Sequence, residues 1–171
     1  MGTVVFGWLD GDPPRDEADW RRVAAELVRL HDLTRGHRQR PGFRSTRDLL
    51  VADRGGDVDL TLMPPRAVAA CRAAWAALPE LPPAVVHGDP GPGNIRIQDN
   101  TVGFLDWDES RVDNPAVDLA ELPVRVLPRD IDAAAKLAAE AWEAANGWQA
   151  EPDHARRCLD RLDAADAHDR R

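Results

Sequence analysis

One stretch limits what this chain can become: Val85-Val86-His87-Gly88-Asp89-Pro90-Gly91-Pro92-Gly93-Asn94, followed ten residues on by Phe104-Leu105-Asp106-Trp107-Asp108. Two short apolar runs each deliver an acid into a loop. Proline and glycine at the density of residues 90 to 93 continue neither a helix nor a central strand, so a tight loop must lie between the acids. Apolar residues ahead of each acid predict buried strands with carboxylates at their exits, a common place for chemistry. Ile95-Arg96-Ile97-Gln98 alternates apolar and polar, Asp99-Asn100 is a turn pair, and Thr101 to Leu105 follows. This reads as a β-hairpin. Strands of similar length bring Asp106 back towards Asn94, so Asp89, Asn94 and Asp106 are predicted to converge.

The rest of the chain reads mostly as helix. Trp20, Val23, Leu27 and Leu30 fall at helical spacing over residues 16 to 33, with Asp16, Glu17 and Asp19 in the first turn, where the helix dipole favours anions. His31 lies beside that stripe and reads as a packed or surface histidine. Residues 34 to 63 are polar and broken, and their basic cluster (Arg35, His37, Arg38, Arg40, Arg44, Arg47) reads as a solvated loop before a phosphate site. Pro64-Pro65 opens a second helix with Val68, Cys71, Trp75 and Leu78 on one side. Asn114-Pro115 opens a third, expected over 115 to 127. Further helices are expected over 130 to 146, stopped by Gly147, and over 152 to 166, with a frayed tail from His168.

The 171 residues suffice for one domain with a real core. No apolar run approaches the ~20 residues of a membrane span. No signal peptide is read at the N-terminus, and Cys71 and Cys158 read as buried thiols, so a cytoplasmic protein is expected. The net charge of −8 speaks against a nucleic-acid partner and is compatible with a cationic small substrate.

Oxygen donors of the Asp89, Asn94 and Asp106 kind suit Mg²⁺, which takes one or two carboxylates beside substrate phosphates. Phosphoryl transfer needs such a metal bridge and an acid that orients the accepting hydroxyl. The spacing His87-Gly88-Asp89-x-x-x-x-Asn94, then Asp106-Trp107-Asp108, resembles the catalytic and metal loops of protein kinases. Glycine within the triplet resembles the aminoglycoside phosphotransferase and choline kinase family. So do Asn114-Pro115-x-x-Asp118-Leu119-Ala120, Gln39-Arg40-Pro41-Gly42-Phe43 and the Trp8-Leu9-Asp10-Gly11 start. The resemblance runs over roughly residues 4 to 125.

That resemblance implies an α+β, mostly helical fold: the C-terminal lobe of a protein-kinase-like architecture with a short hairpin at the catalytic and metal loops. It implies Asp89 as the catalytic base or hydroxyl positioner and Asn94 and Asp106 as Mg²⁺ ligands against the phosphates of ATP or GTP. His87 and Asp118 would prop the loop, and Asp108 would be a substrate-facing or supporting acid, or a plain solvated carboxylate. Phe6, Gly7 and Trp8 would form the nucleotide hinge. Residues 1–15 would be the last strand and hinge of a preceding lobe, and 16–171 the catalytic lobe. The only lysine, Lys136, follows the metal acids and cannot stand in for the strand lysine of a nucleotide lobe, so that lobe is expected to be absent. A small-molecule kinase acting on an aminoglycoside-like or amino-alcohol hydroxyl is the expected activity. A truncated pseudokinase-like binding module, or a fragment without independent activity, is the alternative. A missing lobe or a dimer partner would then cover the exposed interface.

Overall fold

The structure is a computed structural model and describes residues 9–169, with side chains to residue 165. Of the strand and hinge expected within residues 1–15, residues 1–8, with the hinge residues Phe6, Gly7 and Trp8, lie outside the described residues. The described residues form five α-helices, α1 (Glu17–Leu33), α2 (Pro65–Ala76), α3 (Ala116–Glu121), α4 (Arg129–Asn146) and α5 (Pro152–Asp169), and six short strands. The strands are β1 (Arg54–Gly55), β2 (Val58–Asp59), β3 (Ala84–Val86), β4 (Ile95–Gln98), β5 (Thr101–Phe104) and β6 (Arg111–Asp113). They pair antiparallel as β1–β2, β3–β6 and β4–β5. This is an α+β protein, and among the described residues no helix is long and apolar enough to cross a membrane.

Two apolar clusters flank the loops. Helix α1 begins where Asp16 accepts the Asp19 amide at 2.9 Å, satisfying one of the unpaired N–H groups of the first turn. Its stripe of Val23, Ala24 and Leu27 packs with Ile95 of β4 and with Leu119, Leu122 and Val124. The larger cluster joins α2, α4 and α5 through Cys71, Trp75, Ala138, Trp142, Cys158 and Leu162. Helix α4 buries Ala135, Ala138, Ala141, Ala144 and Ala145 almost completely. Such small side chains let its neighbours approach its backbone, and the Trp75 indole N–H donates to the Ala138 carbonyl at 3.2 Å. Both cysteines are buried free thiols, and burial pushes each up to about 12, which keeps them unreactive.

Three expectations are corrected. The third helix is six residues long, not thirteen, because Pro123 has no N–H to continue it and holds Leu122 extended (ψ 143°). Val126, expected on its apolar side, is exposed. The last helix runs to Asp169, three residues beyond its expected end at 166. Strand β6 was not anticipated; it pairs with β3 in the register Ala84↔Asp113 and Val86↔Arg111, and three residues are too few for period-two alternation to register.

Candidate active site

The site grows from the ends of β3 and β5. β3 leads directly into His87, Gly88 and Asp89. The β4–β5 register pairs Ile95 with Phe104, and the Leu105 amide donates to the Asn94 carbonyl at 2.8 Å, which sets Asp106 beside Asn94. Asp99 occupies the tight hairpin turn at φ +54°, where aspartate is tolerated. Asp106 also has φ +58°, an uncommon conformation for a non-glycine residue and one that occurs at functional sites.

Buried groups brace the loop. Asp118, fully buried on α3, accepts the amides of His87 at 2.8 Å and Gly88 at 3.0 Å. It also accepts the His31 Nε2 proton at 2.9 Å. A buried carboxylate needs such donors to offset its lost hydration. The His31 contribution escaped the sequence reading, since 87 positions separate it from Asp118. The His87 ring spans both halves of the site. Its Nε2 faces the Leu105 carbonyl at 2.8 Å, and its Nδ1 faces the Asp89 amide at 3.3 Å. A carbonyl only accepts and an amide N–H only donates, so the ring is neutral with its proton on Nε2. Phe104 and Trp107 pack around it at centroid distances of 5.7 and 4.6 Å.

Gly88 cannot be replaced without strain. Its φ is +98°, and a Cβ would meet the Glu109 Cβ at 2.8 Å and the Glu109 carbonyl oxygen at 2.9 Å. The close approach of these two residues brings Glu109 up to the His87–Asp89 loop.

Asp89 is exposed, and its Oδ2 accepts the Asn94 Nδ2 proton at 2.8 Å. That amide nitrogen also donates to the Asp89 carbonyl at 3.1 Å. With the nitrogen turned towards Asp89, the Asn94 Oδ1 is left as an oxygen donor, and Asp106 adds an exposed carboxylate. Among the described residues no group of three or more His, Cys, Asp or Glu side chains is placed to hold a metal ion. One amide oxygen and one carboxylate nevertheless fit Mg²⁺, which completes its shell with water and phosphate oxygens. Asp108 is exposed, and its backbone carbonyl, with that of Trp107, accepts the Arg40 guanidinium. Gln39 pairs with both backbone groups of Val112, at 2.8 and 3.0 Å. The Gln39-to-Phe43 segment is thereby stitched to the loop after Asp106. The remaining basic-cluster residues do not meet in one patch; Arg35 pairs with Asp32, Arg44 donates to the Arg54 carbonyl, and Arg47 pairs with Glu80.

Beside Asp89 opens a cleft of about 840 Å³, walled by α3, α4 and the start of α5 and rich in acids: Asp57, Glu109, Glu121, Glu140, Glu143 and Glu151 join Asp89. Its two full cations are engaged. Lys136 pairs with Asp132 at 2.9 Å, and Arg161 holds Glu140 through two bonds at 2.7 and 2.5 Å. His154 stands 3.5 Å from Glu143. Asp57, Glu109, Glu121 and Glu151 carry no ion pair among the described residues. The electrostatic consequence is a shared rise in proton affinity. Burial, with Glu109, Asp89 and Glu140 nearby, pushes Glu143 up to about 7. Burial raises Glu109 against the opposing effects of the Trp142 bond and Arg111. Glu121 is held well above the ordinary carboxylate range by crowding protein atoms first, then by Asp118, Glu143 and Asp89. Its side chain still reaches solvent, so it lies in a concave wall and not in a sealed core.

These cleft acids were missed in the sequence. Glu140 and Glu143 sit three apart on an alanine-rich helix and look like a solvated face. Only the net charge of −8 hinted at them.

Comparison with known families places residues 1–169 in the family described as the phosphotransferase enzyme family; the chain belongs to it. Comparison with curated proteins finds no match.

Proposed function

We propose that this chain is the catalytic lobe of a small-molecule kinase, residues 16–171, preceded by a strand and hinge in residues 1–15. It transfers the γ-phosphoryl group of ATP or GTP to a hydroxyl on an aminoglycoside-like or amino-alcohol acceptor. One observation carries this reading: Asp89, held by Asn94, lines a cleft in which acids outnumber cations, and Asp57, Glu109, Glu121 and Glu151 carry no ion pair among the described residues. A concave site of one sign concentrates ligands of the other sign, so the acceptor should be cationic.

In this reading Asp89 orients the acceptor hydroxyl and receives its proton as the new P–O bond forms, with the leaving nucleoside diphosphate taking the electron pair of the broken bond. The bond from Asn94 holds the Asp89 carboxylate in place. Asn94 Oδ1 and the Asp106 carboxylate would hold Mg²⁺, which when bound supplies neutralisation of the phosphate charge. His87 and Asp118 keep the loop fixed and do not exchange protons with substrate. Asp108 contributes its backbone carbonyl to the Arg40 clamp, and its exposed carboxylate is a substrate-facing or supporting acid in this reading.

The test is nucleoside diphosphate release by the purified chain with Mg²⁺, ATP or GTP and a panel of aminoglycosides and amino alcohols. Turnover that disappears in Asp89→Ala supports the kinase reading. Turnover equal in wild type and Asp89→Ala contradicts it, and nucleotide and acceptor binding without turnover favours the pseudokinase-like alternative. The division of roles has its own test: Asp106→Asn is expected to weaken Mg²⁺ affinity, whereas Asp89→Asn leaves it nearly intact. Equal losses in both would contradict the assignment.

A further inference from the structure

The acids of the cleft are not equivalent. Glu140 is neutralised by Arg161, Glu143 faces His154, and Glu151 is exposed at the rim. Glu109 differs from all of them. It follows the metal loop by three residues, packs against Gly88, and lies next in space to the catalytic loop. Each of its carboxylate oxygens is fixed by a donor from α4: Oε2 by the Trp142 indole N–H at 2.9 Å and Oε1 by the Asn146 amide at 2.8 Å. The Trp142 ring is fixed in turn, with the Arg111 guanidinium over its face at 3.2 Å, and Arg111 is tied to buried Asp113 at 2.9 Å. A carboxylate has about four acceptor positions, so two remain after these bonds, and Glu109 lines the cleft. Two neutral donors orient the group without cancelling its charge. This is how a protein prepares a carboxylate for an external cation, because the ordering cost is met before binding.

Resting on the acceptor reading above, we propose that Glu109 is the specificity-determining residue of this cleft, gripping an ammonium group of the acceptor next to the hydroxyl presented to Asp89. Trp142 and Asn146 are its positioning residues. Selectivity then follows from charge and placement. An acceptor with an amine near its reactive hydroxyl gains a charge-assisted bond, and a neutral polyol leaves Glu109 without one.

The test is calorimetric binding of kanamycin, with sucrose as the neutral control, to the whole chain and three variants. Glu109→Gln keeps the side-chain shape and removes the charge; it is expected to weaken kanamycin binding about tenfold or more. Asn146→Ala keeps the charge and removes one clamp, and a severalfold loss is expected. Glu80→Gln removes an exposed acid outside the cleft and should change affinity less than twofold. Circular dichroism checks that each variant folds; should Glu109→Gln fail, Asn146→Ala against Glu80→Gln still decides the matter. Kanamycin binding that is unchanged in Glu109→Gln, or reduced equally by Glu80→Gln, would overturn the assignment while leaving a cationic acceptor in place. A wild-type chain that binds kanamycin no better than sucrose would overturn the cationic-acceptor reading itself, and the assignment with it.

Discussion

The loop that carries Asp89 and the acidic cleft beside it share a wall but treat charge in opposite ways. Behind the loop, Asp118 of α3 is completely buried, and its carboxylate takes three donors. In the cleft, burial raises the pKa values of Glu109, Glu121 and Glu143, and neighbouring acids add to the rise, with Arg111 opposing it only in part. A satisfied buried acid fixes geometry. An unsatisfied group of acids costs stability and is expected where a ligand will balance it. The contrast separates scaffold from binding surface, and it can be broken by substituting acids on each side.

The largest effect is expected from Asp118→Ala. It leaves the buried amides of His87 and Gly88 and the His31 ring without their acceptor, a cost of about 3–5 kcal/mol. For a chain of this size the melting temperature should fall by roughly 10 °C. A melt within 2 °C of wild type would show that the loop holds without this brace. Gly88→Ala comes next, at about 1–3 kcal/mol, because it combines a left-handed backbone with a collision against Glu109. It should also lower activity through the displaced Asp89, and a variant with normal melting and turnover would contradict the packing described.

On the cleft side the sign reverses. The pKa of Glu143 is about 7 in the fold against an ordinary 4.5. The native state therefore retains a proton that the unfolded chain has released. From this group stability should decline as pH rises from about 4.5 to 7 and level off above that. Glu143→Gln should flatten that decline, as seen in denaturant midpoints measured across the range. Because the ionised form attracts a cation, acceptor affinity should move the other way and increase as pH rises through 7; affinity that falls over the same interval would break the comparison. The smallest effect belongs to Arg47→Ala in the exposed pair with Glu80. Its cost should stay within about 0.5 kcal/mol in the same denaturation experiment, as for surface pairs generally.

What the sequence reveals divides along the same line. The loop was legible because its information is local: turn chemistry from Pro90 to Gly93, alternation in β4, and a motif spacing that brings Asn94 to Asp89. Helices α1, α2 and α4 were legible from their apolar stripes. Helix α3 was overextended because Leu122 and Val126 continue the stripe past Pro123, and the proline outweighs periodicity there. The cleft was hidden because its acids come from five separate segments and each looks solvated on its own element. Likewise His31 and Asp118 meet only through the packing of α1 against α3. Long-range polar convergence leaves no period in a sequence.

The most direct measurement of the whole account is phosphoryl transfer to one acceptor in two forms: kanamycin, and kanamycin with its amines acetylated. Both keep the hydroxyls, and only the first carries ammonium groups. Acetylation is expected to lower kcat/KM by about a hundredfold or more, with both activities lost in Asp89→Ala. Equal kcat/KM for the two forms would contradict the account, because the acids around Asp89 would then have no part in choosing what is phosphorylated.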